Sequence, residues 1–112
     1  DESELPAIVE QARWNMRVTL SLRQGLQRVD KGRAIAVPFD NEPTEEELLE
    51  RYFVMGTPEA CAAKIRQIQE VMGINHFNAS FWFGDLPQEK VLRSMTLFAE
   101  EVMPALQQEA AA

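Results

Sequence analysis

The sequence predicts a mainly α fold with one long β-strand, an α/β protein made of a single domain over residues 1–112. Two observations predict the class. Apolar residues recur at helical spacing in segment after segment, punctuated by glycine and proline. One run, GINHFNASFWFGDLP from Gly73 to Pro87, instead alternates greasy and polar residues. A third bounds the size: the length suits one domain able to bury a workable core.

The elements follow in chain order. Ser3 is placed to cap a first helix, with Glu4 in its first turn and Pro6 early enough to be tolerated. Leu5, Ile8, Ala12, Met16 and Leu20 share one face. Leu22, Leu26 and Val29 extend it on a rotated stripe, so the helix is expected to run to about Val29, ~40 Å. Gly25 weakens its last third. Asp30-Lys31-Gly32 reads as its stop, giving a long helix over 1–31 and a loop over 32–43. Within that loop, Ala34–Val37 is a candidate short extended piece. Thr44-Glu45-Glu46-Glu47 matches a capping box and opens a short helix through Leu48, Leu49 and Tyr52. Phe53-Val54-Met55 either finishes that helix or forms a short strand.

Gly56-Thr57-Pro58-Glu59 is a helix start, with Thr57 as cap and Pro58 at the first helical position. Cys61, Ile65, Ile68 and Met72 form the stripe expected to be buried, and Gly73 stops the helix. In the strand that follows, Phe77, Ala79, Phe81 and Phe83 make one face; His76, Asn78, Ser80 and Trp82 make the other. Pro87 starts the last helix, with Val91, Met95, Phe98, Val102 and Leu106 on its inner face. Pro104 is expected to kink or end it. Ala110-Ala111-Ala112 reads as a frayed tail.

Composition excludes several classes of function. Hydrophobic residues make up 46% and charged residues 26%, as in soluble globular proteins. A formal net charge of -7 repels phosphate backbones, so no nucleic-acid partner is expected. No apolar run approaches the ~18 residues of a membrane span, and nothing resembles a signal peptide. The single cysteine, Cys61, excludes an internal disulfide and fits a reducing compartment, hence a cytoplasmic reading.

Chemistry-bearing motifs are sparse. There is no glycine-rich phosphate loop, no metal-ligand spacing and no nucleophile elbow. Cys61 lies near a helix N-terminus, which would lower its pKa, but it sits on the apolar stripe and reads better as a small buried hydrophobe. His76 reads as a hydrogen-bonded structural residue ahead of a general base. Glu45-Glu46-Glu47 and Glu100-Glu101 are explained by capping and by a solvated helix face. Trp14 is expected to pack. Trp82 shares its face with Asn78 and Ser80, and a polar strand face must meet water, a ligand or other polar groups. The end of such a strand on a parallel sheet is where ligands sit.

Three pieces, in order and spacing, carry a resemblance: Gly56-Thr57-Pro58-Glu59, then Gly73-Ile74-Asn75-His76-Phe77, then Ser94-Met95-Thr96-Leu97-Phe98-Ala99-Glu100-Glu101-Val102-Met103-Pro104. Together they resemble the C-terminal end of the bacterial luciferase-like flavin-dependent monooxygenases, over residues 44–106. The resemblance implies the C-terminal fragment of a (β/α)8 TIM barrel, with most of its strands absent from this sequence. It implies an oxidoreductase family that uses reduced FMN or a deazaflavin. It also implies that the inward face of the last strand, Asn78, Ser80 and Trp82 with Gly84 and Asp85 at its top, lines a cofactor site. No catalytic residue and no metal ligand is assigned.

The resulting expectation is a monooxygenase fragment or remnant that is not catalytically self-sufficient. The alternatives are a stand-alone dimeric interaction module derived from that family and a small enzyme holding flavin at a subunit interface. FMN rests on the resemblance alone, with no cofactor in this chain as the other reading. The strand over 74–83 has two unpaired edges and only two candidate partners, 34–37 and 53–55. A homodimer through that strand is therefore expected, or a missing barrel segment supplied in trans. Asp1 is not a methionine, which fits a chain that begins short of its natural start.

Overall fold

A 3₁₀ turn, Glu2–Glu4, leads into α1, Leu5–Arg23. The molecule is seen in a computed structural model that describes residues 2–25 and 28–110. Glu4, not Ser3, occupies the cap position of α1, without a side-chain cap bond. The helix ends well short of Val29. Gly25 takes a left-handed φ of +66°, and the Gln24 N–H closes back on the Leu20 carbonyl at 3.0 Å. Leu26, the middle of the expected second stripe, lies outside the described residues, as does the tail at 111–112.

Val29 belongs to a strand. β1, Arg28–Asp30, pairs antiparallel with β2, Arg33–Ile35, with Val29 opposite Ala34. Lys31 (φ 47°) and Gly32 (φ 79°) are both left-handed, as a two-residue hairpin turn demands of strands with right-handed twist. Asp30-Lys31-Gly32 is thus a hairpin turn and not a helix stop.

α2, Glu45–Glu47, begins with the expected capping box. Thr44 Oγ1 accepts from the Glu47 N–H at 3.2 Å, and the Glu47 carboxylate accepts from the Thr44 N–H at 2.9 Å. The helix continues as a π turn over Leu48–Tyr52 and stops at Phe53, whose backbone is extended (φ -132°, ψ 152°). α3, Pro58–Met72, is capped by Thr57, which accepts from the Ala60 N–H at 3.3 Å. It ends at Gly73 in the left-handed conformation.

The last helix is α4, Gln88–Leu97, a π turn over Phe98–Val102, and α5, Met103–Ala110. Pro104 does not end it. A proline ring crowds the carbonyl four residues back and donates no bond to it. The chain meets this with a wider turn, in which the Met103 N–H reaches the Phe98 carbonyl.

The expected long strand is corrected by the structure. β1–β2 is the only ladder among the described residues, and 74–83 joins no sheet. The fold is a small, mostly helical domain, not a TIM-barrel fragment carrying a long strand. Alternation fixes which face of a segment is greasy, but a strand exists only by bonding to a neighbour. Neither candidate neighbour serves: Arg33–Ile35 pairs with β1, and Phe53–Met55 forms no ladder.

The core is small. Ala62 and Ile65 of α3 are buried against Val102, with Val54, Cys61, Phe98, Ala105 and Leu106 packed around them. α1 meets the 48–52 turn, and Val9, Ala12 and Leu48 are buried. Met72, expected inside, is 70% exposed, because α3 turns its stripe toward Ala62 and Ile65. Near the chain ends, Lys90 and Arg93 reach the Glu4 carboxylate, at 3.1 and 3.8 Å, tying the start of α1 to α4. The radius of gyration, 15.9 Å, exceeds the ~13 Å of a close-packed domain of about 100 residues. Apolar surface is left uncovered to match.

Candidate functional site

Segment 74–83 is held at one end and on one face. At its end, Gly84 adopts a φ of +62°, and the Asp85 N–H donates to Gln11 Oε1 at 2.8 Å. A Cβ at Gly84 would lie 2.9 Å from the Gln11 carbonyl oxygen and 2.6 Å from its Oε1. The close approach that this glycine permits is therefore taken by α1. On the held face, the Phe81 ring meets Phe98 edge-on at 5.2 Å, and Phe83 meets Phe53 at 5.5 Å.

The two faces separate as alternation requires. Phe77, Ala79 and Phe81 border an open apolar groove of about 580 Å³, completed by Met95, Phe98 and Met103 of the last helix. On the other face His76, Asn78, Ser80 and Trp82 are all exposed, Trp82 at 73%. His76, read as a hydrogen-bonded structural residue, is exposed. Trp14, expected to pack, is 39% exposed.

Asn78, Ser80 and Trp82 form one open wall. They offer an indole face for stacking and short polar side chains, but no enclosure. The Asp85 amide, beyond the end of the wall, is already spent on Gln11. These residues do not by themselves fit a flavin phosphate. Among the described residues no group of three or more His, Cys, Asp and Glu side chains could hold a metal ion. Cys61 is half-buried, and burial pushes its thiol pKa up, the direction of an inert packing residue.

One constellation escaped sequence reasoning. Arg17 grips Glu42 bidentately, Nε to Oε1 at 2.6 Å and Nη2 to Oε2 at 2.8 Å. The Phe39 N–H donates to Glu42 Oε1 at 3.1 Å, and Arg13 Nη1 donates to the Pro43 carbonyl at 2.8 Å. The Arg17 hydrogen bond holds the Glu42 carboxyl below the usual carboxylate range, with the Phe39 amide and the Arg17 and Arg13 charges adding to it against desolvation. This cluster pins the 36–43 loop to α1. No local motif announces it, since its arginines and its glutamate are far apart in sequence. The only signal was the i, i+4 spacing of Arg13 and Arg17 on a helix otherwise rich in apolar positions.

Comparison with known proteins finds no matching family model, no matching curated protein and no matching solved structure. No helix among the described residues is long and apolar enough to cross a membrane.

Proposed function

We propose that this chain is an interaction module that works as a twofold dimer through residues 74–83. The observation that carries the reading is the alternating segment itself, which has no ladder partner among the described residues. Backbone amides and carbonyls without partners template pairing with another chain. The segment contains no Asp, Glu, Lys or Arg, although the chain carries a formal net charge of -7. A second copy can approach there without meeting like charge, and no edge lysine or proline opposes it.

The faces restrict the register. Opposed residues of an antiparallel pair share a face, so the numbers of paired residues must sum to an even value. Centred on Ala79, the pairing sets Phe77 opposite Phe81 of the partner subunit and Asn78 opposite Ser80 of the partner subunit. It joins the two polar faces into one surface and the two greasy faces into one floor.

Light scattering at micromolar concentration tests this, with a dimer expected. Successive N–H groups point to opposite edges of an extended chain, so one of Ala79→Pro and Ser80→Pro must remove a ladder donor. That variant should dissociate while remaining helical by circular dichroism. A wild-type monomer, or two proline variants that both stay dimeric, overturns the reading.

The resemblance to flavin-dependent monooxygenases supports a second reading, as an oxidoreductase component in a reducing, cytoplasmic setting. The exposed Trp82 indole beside Asn78 and Ser80 favours it, as one wall of an FMN site whose remainder another polypeptide supplies. The chain alone is then expected to bind FMN only at millimolar concentration, roughly -4 kcal/mol. A fluorescence titration reads this directly. Saturable micromolar binding, lost in Trp82→Ala, would displace the interaction module as the first reading.

A further inference from the structure

The last helix carries a second apolar stripe whose order points to its partner. Its inner face is satisfied by the fold: Val102 is buried, and Phe98 lies against Phe81. Beside that face run Leu92, Met95, Ala99, Met103 and Leu106, the last of which also packs on the core. Leu92, Met95 and Met103 are 53%, 46% and 41% exposed. Ala99 is exposed, and it borders the open groove together with Met95, Met103 and Leu106. Successive spacings in this stripe are three, four, four and three residues. Read in either direction, it is Leu, Met, Ala, Met, Leu. An antiparallel mate with the same sequence converts that palindrome into like-on-like contacts.

We propose that the last helix packs antiparallel against the last helix of a second copy, centred on Ala99. Leu92 then lies opposite Leu106 of the partner subunit, and Met95 opposite Met103 of the partner subunit. This rests on the dimer proposed for residues 74–83 and supplies its hydrophobic half. The small Ala99 side chain at the crossing lets the helix axes approach toward the short end of the usual 8–10 Å range. Methionines on either side adapt to a seam between identical surfaces. None of the five residues is charged, so two acidic chains meet without repulsion at the centre. The two contacts are also compatible in space. Phe81 lies 5.2 Å from Phe98, and Ala79 and Ala99 border the same groove. A single twofold axis can therefore pass close to both Ala79 and Ala99.

Site-directed crosslinking tests the helix pairing separately from the strand pairing. In a Cys61→Ser background, Ala99→Cys should crosslink rapidly to a covalent dimer with a short bismaleimide. Glu101→Cys, exposed on the helix away from the stripe, should not. Met103→Glu puts charge into the seam without entering the buried core, and should raise the dimer Kd at least tenfold by sedimentation. If the protein is a dimer but Ala99→Cys crosslinks no faster than Glu101→Cys, the helix pairing is wrong and the strand pairing stands. An unchanged Kd for Met103→Glu refutes it equally. If Ala99→Cys crosslinks while both proline variants remain dimeric, the helix pairing stands and the strand pairing falls. A monomeric wild type removes both.

Discussion

Replacing Glu42 with glutamine should make the fold less stable at neutral pH and indifferent to the change at acid pH. Glu42 is only 14% exposed, and its carboxylate receives both prongs of the Arg17 guanidinium as well as the Phe39 amide. Glutamine is of nearly the same size and keeps one acceptor oxygen. It loses the charge and one prong, and leaves a partly buried arginine poorly paired. Hydrogen bonds to charged groups contribute ~1.5–3 kcal/mol, so a loss of about 2 kcal/mol is expected at pH 7. For a domain of this size that lowers the Tm by roughly 10 °C. The sign with pH follows from the lowered pKa of Glu42. A carboxyl with a depressed folded-state pKa contributes stability that is fully present above its unfolded value of ~4.3 and is lost as pH falls through the folded value. Arg17, whose pKa is raised by its hydrogen bond to Glu42, stays protonated throughout and does not blur the window. The gap between urea melts of wild type and Glu42→Gln should be full at pH 7 and should narrow as pH falls below ~4.3 toward pH 3. A gap that persists undiminished at pH 3, or that is absent at pH 7, would refute the clamp as the source of the stability.

Two further substitutions probe local causes. Thr57→Ala removes the acceptor for the Ala60 N–H and should cost about 1 kcal/mol in a denaturant melt. An unchanged midpoint would mean that the cap contributes nothing to α3. Gly84→Ala and Gly73→Ala form a matched pair, because their φ values are nearly equal (62° and 64°) but only Gly84 has Gln11 against its missing Cβ. Both should lose the ~1 kcal/mol of left-handed strain, and Gly84→Ala should lose at least as much again by displacing α1. Equal losses in the two variants would show that the Gln11 contact is loose.

What was legible in the sequence was local. Thr44 with Glu47, and Thr57 with Pro58, announce their helix starts because each cap is written within four residues. The two faces of 74–83 were legible too, since alternation alone fixes them. What failed depended on partners. The helix expected to reach Val29 stops at Arg23 because Gly25 goes left-handed and Lys31-Gly32 closes a hairpin, a turn chemistry read instead as a helix end. The long strand failed because no described residue pairs with 74–83, and no property of Ile74–Phe83 can reveal that. In the candidate site, Asn78, Ser80 and Trp82 do share an exposed face. Gly84, grouped with them by resemblance, faces Gln11 instead. The Arg17–Glu42 clamp was invisible because it joins residues that only the fold brings together.

The distribution of charge links the exposed segment to the exposed helix stripe. Asp and Glu number 18 and Lys and Arg 11, yet none falls within residues 74–83 or at Leu92, Met95, Ala99, Met103 and Leu106. Solvent-facing positions of an acidic chain ordinarily carry those charges, and exposed edges ordinarily carry lysine or proline to discourage pairing. Here the neutral positions include an exposed Trp82, a half-exposed Met95 and Leu92, and a backbone without ladder partners among the described residues. Such positions cost solubility when left bare and stabilise when covered, because both apolar area and unpaired amides are then removed from water. Standard interfaces bury roughly 800 Å² per partner, and a backbone ladder alone supplies little apolar area. The ladder would satisfy the amides and the stripe would supply the area. Each contact therefore makes good what the other lacks, which is why one twofold axis serving both is favoured over two separate docking events.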